Sequence, residues 1–210
     1  MTEFEKWLQE HFGIRSANYL TIENMDEIQS RALMTPDSFN DGGKYNTLQK
    51  ALKRAKALEV QGANVIDIGG ESTGPGSKNV TIEEELKRVI PILKSLRKST
   101  ALPISIDTYK AEVARQALEH GANMINDVTA LRGDPKMASI IAKHKCPIIL
   151  TYSKDNSPRT TIKKIKYKDV IKTIKSFLSK RISYAKKHGI KPSRIIIDPG
   201  MGQFISAIMI

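Results

Sequence analysis

A single cysteine, Cys146, among 210 residues excludes an internal disulfide. It precedes the apolar run Pro147–Leu150 and reads as a small buried hydrophobe rather than a nucleophile. No apolar stretch approaches the roughly 18–20 residues that cross a bilayer. The first residues, MTEFEKWLQEHFG, are acidic and amphipathic, unlike a secretory signal. No membrane partner is expected, and a cytoplasmic location follows by default. The chain also has no Gly-rich dinucleotide fingerprint and no P-loop, which argues against Rossmann-type cofactor sites and P-loop NTPases. Its apolar content of 40% excludes a disordered chain.

The net charge of +12 is unevenly placed. Residues 154–191 hold thirteen Lys or Arg against two acids, Asp155 and Asp169, and the remainder is nearly neutral. Such a block can attract phosphate-rich ligands. Few aromatics interleave with the lysines, so single-strand nucleic acid is not the expected partner. Ile162, Ile165, Ile171, Ile174, Phe177, Leu178 and Ile182 keep helical spacing, so the block reads as an amphipathic helix with a solvated basic face.

Along the chain, strand and helix patterns alternate. Helices are expected over 45–61, stopped by Gly62; from Thr81, with Glu84 in capping-box spacing; over 110–120, stopped by Gly121; from Asp134, with Pro135 at the first helical position; and through the Lys-rich segment to Gly189. Short apolar strands are expected near 30–34, 64–68, 103–107, 123–128, 147–152 and 194–198. Near-continuous apolar strands between helices indicate a parallel sheet buried on both faces. Gly62-Ala63-Asn64-Val65-Ile66-Asp67 is echoed by Gly121-Ala122-Asn123-Met124-Ile125-Asn126, consistent with a repeated βα unit.

Asp67, Asp107, Asn126 and Asp198 fall at or near the C-terminal ends of their strands. A carboxylate on an apolar strand is costly unless something uses it. One such residue is an ordinary strand-end hydrogen bonder; four at one end suggest a site. The expected fold class is α/β, a (β/α)8 TIM-barrel type with about six of the eight βα units, whose active face lies at that end. A doubly wound sheet would also bind ligands there.

Five ordered motifs then carry a resemblance to a known family. Thr35-Pro36-Asp37-Ser38-Phe39-Asn40-Asp41-Gly42-Gly43, Asp67-Ile68-Gly69-Gly70-Glu71-Ser72-Thr73, Ser105-Ile106-Asp107-Thr108, Ile125-Asn126-Asp127-Val128 and Asp198-Pro199-Gly200 resemble, in order, motifs of the dihydropteroate synthases. The resemblance implies a barrel that condenses (7,8-dihydropterin-6-yl)methyl diphosphate with 4-aminobenzoate, giving dihydropteroate and diphosphate in folate synthesis. It implies Asp198 as acceptor of the paired pterin donors, Asp107 and Asn126 as further pterin ligands, Asp107 as the catalytic stabiliser of developing positive charge, and Thr73 at the second-substrate site. Thr35, Pro36, Asp37, Ser38, Phe39, Glu71 and Ser72 fall in the two loops expected to be mobile until substrate orders them. Asp67 is expected to hold the second loop.

The departures are equally specific. Mg²⁺ is implied as a cofactor, but the family's metal-binding Asn position is Leu33, so no metal ligand is assigned. The Arg that follows the second-loop Thr is Gly74 here. Lys154, Arg159 or the Lys-rich segment could supply the missing charge, Lys154 being favoured. The family's later Lys and Arg-x-His pair have no counterpart by residue 210, so a barrel truncated after its sixth strand is expected. Residues 29–210 form that barrel. Residues 1–28 form a helical extension whose Trp7, Leu8 and Phe12 would pack on the barrel or a partner. A homodimer is a further expectation. Two other readings stay open: a pterin-binding domain without synthase activity, and a pterin-dependent methyltransferase-type barrel.

Overall fold

A computed structural model describes residues 33–34, 44–60, 62–161 and 165–200. Among these residues six strands alternate with five helices: β1 Leu33–Met34, α1 Lys44–Val60, β2 Ile66–Gly69, α2 Ile82–Leu96, β3 Ile104–Asp107, α3 Ala111–Glu119, β4 Met124–Asp127, α4 Met137–His144, β5 Ile148–Thr151, α5 Val170–Lys187, and β6 Ile195–Asp198 after a 3₁₀ turn. All strand pairings are parallel, and the sheet order is β1-β2-β3-β4-β5-β6. Every strand therefore neighbours the next in sequence. That winding belongs to a (β/α) barrel, whereas a doubly wound sheet reverses direction at a switch point.

Side-chain alternation sorts each strand onto two faces. Ile66, Ile68, Ile104, Ile106, Ile125, Ile148, Leu150, Ile195 and Ile197 form one face, each at most 4% exposed. They pack with Ala51, Ala55, Leu58, Val89, Leu93, Leu96, Ala114, Ala117, Ile141, Leu178 and Ile182 from the helices, in one continuous core. The opposite face is the barrel lumen and takes the remaining strand residues. The polar strand residues, Asp127 apart, lie on this second face, together with the apolar Met124, Ile149 and Ile196.

Local signals explain the element ends. Thr81 caps α2, its Oγ1 accepting from Glu84 N at 3.2 Å. Gly62 and Gly121 stop α1 and α3 with φ of +92° and +98°. In both echoed segments the next alanine donates back to the helix, Ala63 N to Leu58 O at 2.9 Å and Ala122 N to Ala117 O at 3.0 Å.

Three sequence expectations change. Pro135 is not the first residue of α4; it lies in a preceding turn because Asp134 caps that turn, its Oδ1 accepting from Lys136 N at 2.9 Å. Asp134 Oδ2 also accepts from Ala111 N at 2.9 Å, tying this turn to the start of α3. Ile171 does not join the buried stripe of α5: it lies in the first turn and is 53% exposed, while Ile174, Leu178, Ile182 and Ala185 are buried. Ile165 precedes the helix. The expected extension 1–28, the first loop with Thr35, Pro36, Asp37, Ser38 and Phe39, and Ile162 lie outside the described residues.

Candidate active site

The strand register assembles the site. Asp67 pairs with Ser105, Gly69 with Asp107, Asp107 with Asn126, and Thr151 with Asp198. Following these pairings with a period of two places Asp67, Ser105, Asp107, Asn126, Thr151 and Asp198 on the lumen face, toward the C-terminal ends of β2 to β6. Asp107, Asn126 and Asp198 are each partly exposed, so the lumen face is open at that end. All four strand-end residues named from sequence therefore meet on one surface.

Asp127, one residue past Asn126, falls on the opposite face and is fully buried. Its carboxylate accepts from Thr129 N at 2.8 Å, Thr129 Oγ1 at 2.6 Å and Leu131 N at 2.8 Å. It organises a loop and does not reach the lumen.

Within the lumen, Asn126 Nδ2 donates to Asp67 Oδ2 at 3.0 Å. These two residues occupy the same place in the echoed segments, so the repeat is closed by its own polar pair. This corrects the expectation for Asp67: its carboxylate bonds across the lumen to β4 and does not hold the second loop. Asn126 Oδ1 is buried and has no hydrogen-bond partner among the described residues, and the buried Asp67 Oδ1 and Ser105 Oγ have only each other's side chains at hand. Orphaned buried polar atoms are rare in folded proteins, because each costs about 1–3 kcal/mol. Together these atoms leave buried hydrogen-bonding capacity open on one face.

The carboxyl groups of this surface ionise reluctantly. Burial pushes Asp67 above the usual carboxylate range, and hydrogen bonding from Ser105 and then Asn126 pulls partly against it. Burial, then the neighbouring Asp67, Glu85, Asp127 and Glu71 carboxylates, raise Asp107 well above that range. Burial also raises Asp198, although Gly200 N donates to its Oδ1 at 2.7 Å. Such a surface favours ligands rich in N–H donors or carrying positive charge.

The second loop rises from β2 beside this surface. Gly70 permits the close approach of α2: a Cβ there would lie 2.6 Å from Glu85 Cγ and 2.8 Å from Val89 Cγ2. Glu71 and Ser72 were expected in a mobile loop, but Glu71 is only 5% exposed and is held from three sides. It accepts from Tyr109 Oη at 3.2 Å, from Lys110 Nζ and from Arg159 Nη2. Lys110 bridges to Glu85, a buried acid on α2. Burial opposes the charge on Lys110, yet the two glutamates hold its ammonium above its ordinary value. Ser72 Oγ accepts from Gly74 N at 3.3 Å. Thr73 is buried, and its carbonyl accepts from Thr160 N at 2.9 Å.

Sequence reasoning missed Glu85, Lys110 and the placement of Arg159. Glu85 carried a usable signal, since it lies four residues before Val89 and so on the apolar stripe of α2. Lys154 is bound within its own loop, donating to Asp155 Oδ2 at 3.1 Å and Thr161 O at 2.7 Å, whereas Arg159 enters the second loop. Cys146 is buried as expected, and burial pushes its thiol up to about 11.

Leu33, the register partner of Asp67, has only hydrocarbon in its side chain. Among the described residues no group of three or more His, Cys, Asp or Glu could hold a metal ion. The residues present do not fit a Mg²⁺ held from β1.

Residues 31–207 match the pterin binding enzyme family. The chain belongs to that family. A dihydropteroate synthase from Synechocystis is 46% identical to this chain over 168 residues, which is 80% of the chain and 58% of the relative. One from Bacillus subtilis is 46% identical over 169 residues, covering 80% of the chain and 56% of the relative. Among solved structures, a Clostridium difficile dihydropteroate synthase crystallised in the presence of pteroic acid superposes with a TM-score of 0.73 at 45% identity, over 80% of this chain and 62% of that one. A Xanthomonas albilineans dihydropteroate synthase with 4-aminobenzoic acid gives 0.73 at 43%, over 83% and 61%. The chain thus spans about three fifths of the length of these relatives.

Proposed function

We propose that this chain carries the pterin site of a dihydropteroate synthase, which joins (7,8-dihydropterin-6-yl)methyl diphosphate to 4-aminobenzoate. The observation that carries the reading is the lumen face, where Asp67, Ser105 and Asn126, the last with a buried Oδ1 lacking any described partner, stand beside Asp107 and Asp198. A pterin ring presents an amino group and a ring N–H side by side, with further donors and acceptors along its edge. A buried carboxylate gains strongly from accepting two such donors.

Asp198 accepts that donor pair, and Asp107 and Asn126 take the remaining edge of the ring. The methylene–oxygen bond to diphosphate breaks and both electrons leave with the diphosphate. The positive charge left on the methylene is stabilised by the carboxylates of Asp107 and its neighbours, whose mutual repulsion a nearby cation relieves. The arylamine nitrogen attacks that carbon and then loses a proton. Thr73, on the second loop, serves the aminobenzoate in this reading. The Mg²⁺ implied by the family resemblance finds no donor in Leu33, and no step is assigned to it. The substrates and a cytoplasmic setting belong to this proposal, as does a homodimer.

Calorimetry with the pterin diphosphate tests the site, and detection of dihydropteroate from both substrates tests the reaction. Absence of pterin binding would end the reading. Gly74 and Leu33 favour a second one, a pterin-binding module without synthase activity: pterin would bind with no dependence on Mg²⁺ or diphosphate, and no product would form.

A further inference from the structure

The loop after β5 does not stay above its own strand. Its residues 153–161 reach the second loop, which follows β2, three strands away in the sheet. Arg159 carries most of this bridge. Its Nη2 donates to Glu71 and, at 2.8 Å, to Lys78 O, while its Nε donates to Ser77 O at 3.0 Å. Thr160 N adds a bond to Thr73 O at 2.9 Å. The near end of the same loop is held by Arg132 at the end of the β4 loop. Its Nη2 donates to Asp155 O at 2.9 Å, and its guanidinium lies over the Phe177 ring at 4.8 Å. The β5 loop is thus a strap tied at both ends.

The chemistry suits arginine. One planar fork spans a carboxylate and two carbonyls, which the single ammonium of lysine does not. Lys110 and Tyr109 fix Glu71 from the other side, so the guanidinium meets an acceptor already in place. The segment it pins includes Gly74 and Gly76, residues that lose the most backbone entropy on ordering. Ordering this segment before a ligand arrives lowers the cost of binding whatever Thr73 contacts.

We propose that Arg159 is a positioning residue: it pre-orders the second loop, and through it Thr73, for the aminobenzoate. The proposal rests on the synthase reading above, and its test separates the two. The unmodified chain is compared with Arg159→Met and Arg159→Lys. Three quantities are read: hydrogen exchange over residues 71–79, calorimetric affinity for the pterin diphosphate alone, and affinity for 4-aminobenzoate on the pterin-loaded protein. Arg159→Met is expected to speed exchange at residues 72–78 by roughly tenfold or more, since at least one charge-assisted bond is lost. It weakens 4-aminobenzoate by a similar factor and leaves pterin affinity within about twofold. Arg159→Lys keeps the Glu71 pairing and recovers part of both losses. Unchanged exchange in Arg159→Met would overturn the proposal, as would faster exchange with unaltered 4-aminobenzoate affinity. If the unmodified chain binds no pterin, the synthase reading fails instead, and the exchange measurement still decides whether Arg159 orders the loop.

Discussion

Replacing Asp107 with Asn is expected to make the protein more stable and the site useless. Asp107 is raised well above the carboxylate range by burial and by four neighbouring acids, Asp67, Glu85, Asp127 and Glu71. A carboxyl whose value is higher in the folded state than in the unfolded chain lends its full stability below the unfolded value. That contribution is lost as pH climbs through the folded value. Each unit between the two values is about 1.4 kcal/mol. Asn keeps the shape and removes the titration, so the variant and the parent converge in stability at low pH and diverge as pH rises. A gain of about 1–3 kcal/mol at neutral pH is the expected scale for relieving a poorly solvated buried charge. For a chain of this size each kcal/mol raises Tm by about 2–4 °C. The assay is thermal unfolding of both proteins from pH 4 to 8, with pterin calorimetry alongside. Because the acids titrate together, the difference between the proteins reports the cluster rather than one group. A variant less stable than the parent at neutral pH, or a difference flat with pH, would refute the reasoning. Retained turnover in a synthase carrying the change would remove Asp107 from the catalytic role.

Three further outcomes follow from the geometry. Gly70→Ala places a methyl 2.6 Å from Glu85 Cγ, and overpacking of this kind costs about 1–3 kcal/mol, measured as a lowered urea midpoint with unchanged m-value. Asn126→Leu strips Asp67 Oδ2 of its donor at 3.0 Å and leaves the buried carboxylate with Ser105 as its remaining side-chain partner; the expected loss is about 1–3 kcal/mol, smaller at low pH where Asp67 is protonated, and denaturant titrations at two pH values check it. Pterin affinity should fall as pH drops, since Asp198 must be ionised to accept two donors and burial already raises it; binding enthalpies that vary with buffer ionisation heat would show the accompanying proton release, and identical enthalpies in all buffers would refute it.

The chain by itself determined the winding of the barrel and most of the site. Alternation of short apolar runs with amphipathic helices, closed by Gly62, Gly121 and Gly189, dictates βα units, because each stop needs the left-handed backbone that glycine adopts freely. The acids and amide at strand ends marked the site, since nothing in an apolar strand explains a carboxylate except a use for it. That Asn126 faces the lumen while Asp127 is buried on the other face came from the structure. Tertiary structure decided what no local pattern encodes. The bond from Asn126 to Asp67 joins β4 to β2 and depends on sheet curvature. Arg159 reaches Glu71 across 88 residues, and in sequence it was indistinguishable from its basic neighbours, Lys154 included. Ile171 had helical spacing but fell in a first turn that the core does not cover. Sequence periodicity reports which residues prefer to be buried; only packing settles which charged groups find each other, because ion pairing has no period.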